Sequence, residues 1–247
     1  MTELRLLTIP ISHFCEKARW GLDRAGLPYR EEPHVQGVHR VASRRAGGGS
    51  TVPVLVTGGQ VIGESQQILE WADERMPDER RISPTEPEVA ALCRRFDEVL
   101  GPAARRLIYV HMLGQRDLVL EYNNQGVPLW EHRLVRHAWG MLAHFVRRVL
   151  GIVPGVEVED ERTVFGELDH VAGLLADGRP YICGRRFTAA DLTFAALSSA
   201  VTVPPQYGVR LPQPDVLPPA TAELVARARA HPAGRHALRM FEQERRP

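Results

Sequence analysis

Ser12 and Cys15 stand three residues apart, in the order Ser12-His13-Phe14-Cys15, where a short apolar run ends and a helical pattern begins. Unpaired backbone N–H groups and the positive end of the helix dipole favour negative charge at such a place, so a thiolate would be stabilised there. A serine hydroxyl at this position is a ready helix cap. Hydrogen bonding to the charged form lowers a thiol pKa from its reference value of about 8.5, and so raises the ionised fraction at neutral pH. The four residues keep the spacing of a redox C-x-x-C motif whose first cysteine is serine, so dithiol exchange is closed to them. Cys15 alone is then either an acidic thiol at a helix start or a small packed residue. A second helix start, Gly63-Glu64-Ser65, caps its own helix, and a capping serine there can also bind an anion. Val52-Pro53 leads into a short apolar run. The Gly47-Gly48-Gly49 run has no following lysine, so it reads as a loop and not as a phosphate cradle.

The elements that position these residues follow from periodicity and punctuation. Leu4 to Ile9 reads as a buried strand stopped by Pro10, and His13 to Ala25 as a helix stopped by Gly26 and Pro28. A second strand over Tyr29 to His34 and a short basic helix over Val38 to Ala46 come next. Pro53 to Val56 and Gln60 to Ile62 form a hairpin about Gly58-Gly59, and Ser65 to Arg75 forms a helix. Pro77 to Pro87, with three prolines and several charges, reads as a linker between domains at 1–78 and 88–247. Beyond it the strand signals vanish. Helices are expected over Glu88 to Leu113, Leu129 to Leu150, Glu161 to Leu175 and Ala189 to Val201, with two shorter ones near the end. Gly101-Pro102 is expected to end or kink the first of them. Thr188-Ala189-Ala190-Asp191 has the pattern of a capping box, a folding device.

Composition narrows the function. In 247 residues, 31 Lys and Arg balance 30 Asp and Glu for a net charge of +1, so no positive field draws nucleic acid or anionic lipid. Arg44-Arg45, Arg147-Arg148 and Arg185-Arg186 read as solvated faces or turns. Hydrophobic residues at 44% suit a globular core, and the most apolar helical stretch, Trp139 to Val153, is interrupted by His144, Arg147 and Arg148, so no membrane span is expected. Three widely spaced cysteines, Cys15, Cys93 and Cys183, argue against a disulfide framework and against a zinc site. Cys93 and Cys183 read as structural. A reducing cytoplasm is the expected location, with no metal.

Four pieces in this order, Ile11 to Arg19, Thr51 to Leu55, Gly63 to Ser65 and Phe187 to Leu192, make the chain resemble the soluble, cytosolic-type glutathione transferases, and specifically the bacterial ones that use serine. The resemblance implies an α+β architecture, with a thioredoxin-like N-terminal domain followed by an all-α C-terminal domain. It implies that glutathione is the cosubstrate, with Ser12 and Cys15 as the catalytic candidates and Phe14, Thr51, Val52, Pro53, Glu64 and Ser65 as its binding residues. It also implies a cis bond before Pro53, with the Val52 backbone pairing to glutathione, and a glycyl-carboxylate contact among Arg44, Arg45, Ser50 and Thr51. A buried Asp191 fixing the core helix, a homodimer, and a small hydrophobic electrophile as the second substrate complete the set. Tyr109, His111, Met112 and Trp130 are candidates for the electrophile pocket, which the Gln115 to Gly155 stretch and the tail after Pro204 are placed to reshape or cover. The rival readings are a non-catalytic binding or regulatory module and a glutathione-dependent thiol reductase using Cys15.

Overall fold

In the computed structural model, residues 3–245 are described. β1 (Leu4–Thr8), α1 (His13–Arg24), β2 (Tyr29–Pro33), α2 (Val38–Arg45), β3 (Val54–Val56), β4 (Val61–Ile62) and α3 (Ser65–Asp73) follow one another in the N-terminal part. The sheet order is β2-β1-β3-β4, with β1 and β2 parallel and the other pairs antiparallel. Leu6 of β1 lies between Glu31 of β2 and Leu55 of β3 and is fully buried. The crossover from β1 to β2 runs through α1, which packs closely on α3. This is the thioredoxin-like arrangement expected.

Everything after Pro87 in the described residues is helical or loop: α4 (Pro87–Arg95), α5 (Gly101–Met112), α6 (Arg116–Asn123), α7 (Leu129–His137), α8 (Trp139–Val149), α9 (Val156–Leu174), α10 (Ala189–Thr202), α11 (Pro219–Ala230) and α12 (Pro232–Glu244). Nearly every residue of α10 is buried, as its all-round apolar sequence requires of a central helix. Its start is the expected capping box between Thr188 and Asp191. Asp191 also accepts the backbone N–H of Ile182 at 2.8 Å and faces His236 Nε2 at 3.1 Å, so one carboxylate ties α10, the preceding loop and α12 together.

Of the two alternatives expected at Gly101-Pro102, an end or a kink, the end is excluded, because a π-helical turn over Phe96–Leu100 joins α4 to α5. In a regular helix the Pro102 ring would strike the carbonyl of Glu98, and Glu98 lies within that widened turn. Three further expectations change. The span expected as one helix from Leu129 to Leu150 is two, broken at Ala138. The break lets Trp139 and Leu142 pack both on a cluster around Val35, Leu120 and Val135 and on one around Leu113, Ala143 and Val146. α6 forms where no helix is expected, and α9 begins earlier than expected, at Val156 behind Gly155 in left-handed conformation.

The sheet part and the helical part share one core. Trp20 of α1 packs against Phe187 and Phe241, with ring centroids 5.9 and 4.7 Å apart. Lys17, fully buried, meets Asp97 of the π turn at 2.7 Å. Glu16, also fully buried, accepts from Arg245 Nε at 2.7 Å and from the Gly208 N–H at 3.1 Å. α1 is thereby held from both sides, which fixes the loop that precedes it. Among the described residues no helix is long and apolar enough to cross a membrane.

Candidate active site

A cavity of about 440 Å³ opens between the loop before α1 and the helices α5, α6 and α8. Ser12 lies on its wall and is the N-cap of α1, with Oγ accepting the Cys15 N–H at 3.4 Å. Apart from its neighbour Cys15, the Ser12 hydroxyl meets no side-chain partner among the described residues, which leaves it open to a ligand. An N–H donated into that oxygen polarises the O–H and makes it a better donor.

Phe14 also lines the cavity. It can stand there only because position 101 is glycine: a Cβ on Gly101 would fall 2.5 Å from Phe14 Cζ. His13, 5% exposed, lies beside it, and burial together with the nearby Arg105 charge lowers its pKa to about 3. Its imidazole is neutral at any working pH. Thr51 and Val52 line the same cavity with Ser50, and the Val52-Pro53 bond is cis.

Pro53, Glu64 and Ser65 sit outside the lining. Continuing the β3–β4 register, in which Leu55 faces Ile62, sets Pro53 opposite Glu64 at the sheet end that leads into α3. Glu64 is the exposed N-cap residue of α3, without a side-chain cap bond, and Ser65 begins the helix. The topology therefore brings both helix starts, before α1 and before α3, to the same end of the sheet as Val52.

Cys15 does not belong with them. It is fully buried behind Ser12, lines no part of the cavity, and burial pushes its thiol above the ordinary range. A thiol covered in this way lies apart from the Ser12 hydroxyl on the cavity wall, and solvent does not reach it. Cys93 is likewise buried, with its pKa raised to about 11 by burial. Cys183 is half-buried.

Of the four electrophile-pocket candidates, Tyr109 and Met112 line the cavity, whereas His111 and Trp130 do not. Trp130 is 59% exposed on α7, facing away. Arg44 and Arg45 are exposed on α2 and also miss the cavity; Arg40, one turn earlier, reaches it. The sequence reading also passed over Gln36, Arg105 and Tyr207. Gln36 donates to Tyr109 Oη and to Asn123 Oδ1, both at 2.8 Å, and so stitches the β2–α2 loop to α5 and α6. Tyr207, in the tail, donates to the Ile11 carbonyl at 3.1 Å and closes another side of the cavity. Nothing local marks these residues, since each is brought in by long-range packing.

The comparisons with known proteins fall on this frame. The glutathione S-transferase N-terminal domain model matches residues 6–80, which hold both helix starts and the Val52-Pro53 bond. The N-terminal part of the chain is a glutathione S-transferase N-terminal domain. No curated protein matches it in sequence. Among solved structures, a glutathione S-transferase of Ceriporiopsis subvermispora in complex with glutathione is similar over 98% of this chain and 97% of its own, with 19% identity and a TM-score of 0.66. A glutathione transferase of Phanerochaete chrysosporium is similar over 100% of this chain and 99% of its own, with 15% identity and a TM-score of 0.66. One of Methylobacterium radiotolerans, in complex with glutathione sulfonate, has 22% identity and a TM-score of 0.52 over 96% of this chain and 95% of its own. At these identities the structural likeness speaks for the fold, and both halves of the chain carry it.

Proposed function

We propose that this chain is a glutathione transferase of the serine type, which ionises the glutathione thiol against Ser12 and passes the sulfur to a hydrophobic electrophile. The observation that carries the reading is the double position of Ser12, as N-cap of α1 and as a wall of the interdomain cavity with its hydroxyl open to a ligand. The hydroxyl donates to the sulfur anion, and the N-terminus of α1 adds its positive field, both favouring thiolate over thiol. The thiolate attacks the electrophilic carbon, the C–S bond forms as the leaving group departs with its electron pair, and the thiol proton goes to solvent.

Further support comes from the ligands in complex with the structural neighbours, glutathione and glutathione sulfonate. On this reading Val52 holds the middle of the tripeptide through its backbone, with Pro53 setting the strand that follows. Glu64 and Ser65 hold the γ-glutamyl end at the start of α3. Thr51 and Phe14 flank the sulfur end. The apolar side chains of α5, α6 and α8 take the electrophile. Residues 1–78 form the glutathione-binding domain and 88–247 the helical domain, in a cytoplasmic homodimer as the family resemblance implies. Titration of wild-type and Ser12→Ala protein with glutathione, followed by turnover of a generic aromatic electrophile, tests the reading.

A further inference from the structure

Arg105 has no part in the reaction just described, yet it lines the cavity from α5. Among the described residues no carboxylate pairs with it, and its buried Nε meets no hydrogen-bond partner. Arg105 is half-buried, and the more deeply buried cations among the described residues are all matched. Lys17 meets Asp97, Arg19 meets Glu16 and Glu31, and Arg245 meets Glu16 and Asp23. The adjacent Arg106 takes Asp160 in a two-pronged bond of 2.7 and 2.6 Å, so the carboxylate on that side is already spent. What surrounds Arg105 is aromatic: its guanidinium carbon lies 5.8 Å from the centroid of the Phe14 ring, and Tyr109 is one turn ahead on α5. His13, whose Nε2 is also without a partner, stays neutral and adds no competing charge.

A guanidinium withdrawn from water without a counter-charge is costly, and it is built for planar, two-point recognition of a carboxylate. We propose that Arg105 receives a carboxylate on the second substrate, so that the electrophiles of this protein are apolar molecules carrying an anionic group. This rests on the glutathione-transferase reading. The apolar remainder lies along Ile108, Met112 and Val119 while the carboxylate is held at Arg105, which sets the reactive carbon toward Ser12.

The test uses a matched pair of probes: the chlorodinitrobenzoate whose chlorine lies para to the carboxylate, and its methyl ester. With either, glutathione thiolate attacks the chlorine-bearing carbon, the C–S bond forms, and chloride leaves with the bonding pair. The carboxylate-to-ester ratio of kcat/KM should fall by about 10- to 100-fold in Arg105→Gln, the size expected for losing a charge-assisted hydrogen bond, and recover in large part in Arg105→Lys. Direct calorimetric binding of the two probes to glutathione-free protein should show the same loss of preference in Arg105→Gln. That second measurement stands even if glutathione does not bind, in which case the transferase reading fails alone. An unchanged ratio and unchanged probe preference in Arg105→Gln would overturn the proposal. So would an equal loss with both probes or a weakened glutathione affinity, since either assigns Arg105 to the thiolate or the tripeptide.

Discussion

Glu131 on α7 accepts the backbone N–H of Val35 at 2.9 Å, reaching from the helical part to the loop between β2 and α2. Its other oxygen lies 2.7 Å from His34 Nδ1, and the carboxylate is fully buried. This latch fastens the α6–α8 segment to the sheet part and so sets one wall of the cavity. In Glu131→Ala the Val35 N–H is left buried without an acceptor. Stability should fall by about 1–3 kcal/mol in urea unfolding, and amide exchange should quicken around Val35 and along α7. Protection unchanged at Val35 would show that the latch holds nothing.

Cys15 is a packing residue, and its replacement should show it. Cys15→Ala is expected to retain glutathione-dependent turnover while losing about 1 kcal/mol of stability. Alkylation of Cys15 by iodoacetamide in the native protein should be far slower than in urea, because burial keeps the thiol protonated and covered. Loss of all activity in a folded Cys15→Ala protein would restore the thiol-reductase reading.

His13 gives the fold an acid sensitivity. Its pKa is lowered to about 3 by burial and by Arg105, against the ordinary 6.5 it regains on unfolding. Between these values the unfolded chain binds a proton that the folded chain does not, so the contribution is complete above about 6.5 and is lost as pH falls toward 3. Going from pH 7 to pH 5 should cost up to about 2 kcal/mol from this group. His39, lowered to about 4 by burial, works in the same direction. Urea unfolding of wild type and His13→Gln at both pH values measures the term: the slope should be shallower in the variant, and equal slopes would refute it.

Asp191 holds more than its helix. Besides closing the cap with Thr188, it receives the Ile182 N–H and stands against His236 in a fully buried site. Asp191→Ala strands several buried donors at once, so the expected loss is about 3 kcal/mol or more, with Asp191→Asn losing less. A thermal melt of Asp191→Ala superimposed on wild type would contradict this role.

Much of the frame was readable because it is written in local chemistry. Pro10, Gly26 and the Gly58-Gly59 turn punctuate the N-terminal elements, and Thr188 with Asp191 marks the start of α10 within a single turn of sequence. Ser12 was legible for the same reason, as a polar residue at the junction of strand and helix. What was missed depends on distance in the chain. The break at Ala138 answers to two clusters whose members come from as far away as Val35, and the apolar pattern of 129–150 runs through it without interruption. Trp130 has the type of a pocket residue, yet it stands exposed on α7. Cys15 and Ser12 both stand at the start of one helix in sequence, where Ser12 reads more readily as functional and Cys15 as packing, and burial separates them in the fold. Gln36, Arg105 and Tyr207 have no motif at all, since each enters the cavity wall through the packing of separate elements.

The central claim is that Ser12 activates the glutathione sulfur. Its most direct measurement is calorimetric titration of wild-type and Ser12→Ala protein with glutathione, joined to an absorbance titration of the bound thiol and a conjugation assay with an aromatic chloride. Both proteins should bind glutathione, the bound thiol should ionise at higher pH in Ser12→Ala, and kcat/KM should drop about 100-fold or more, as when one donor to a developing anion is removed. Binding by wild type with no turnover of any electrophile would mark a non-catalytic module. Undiminished turnover in Ser12→Ala, or no binding of glutathione by wild type, would contradict the account.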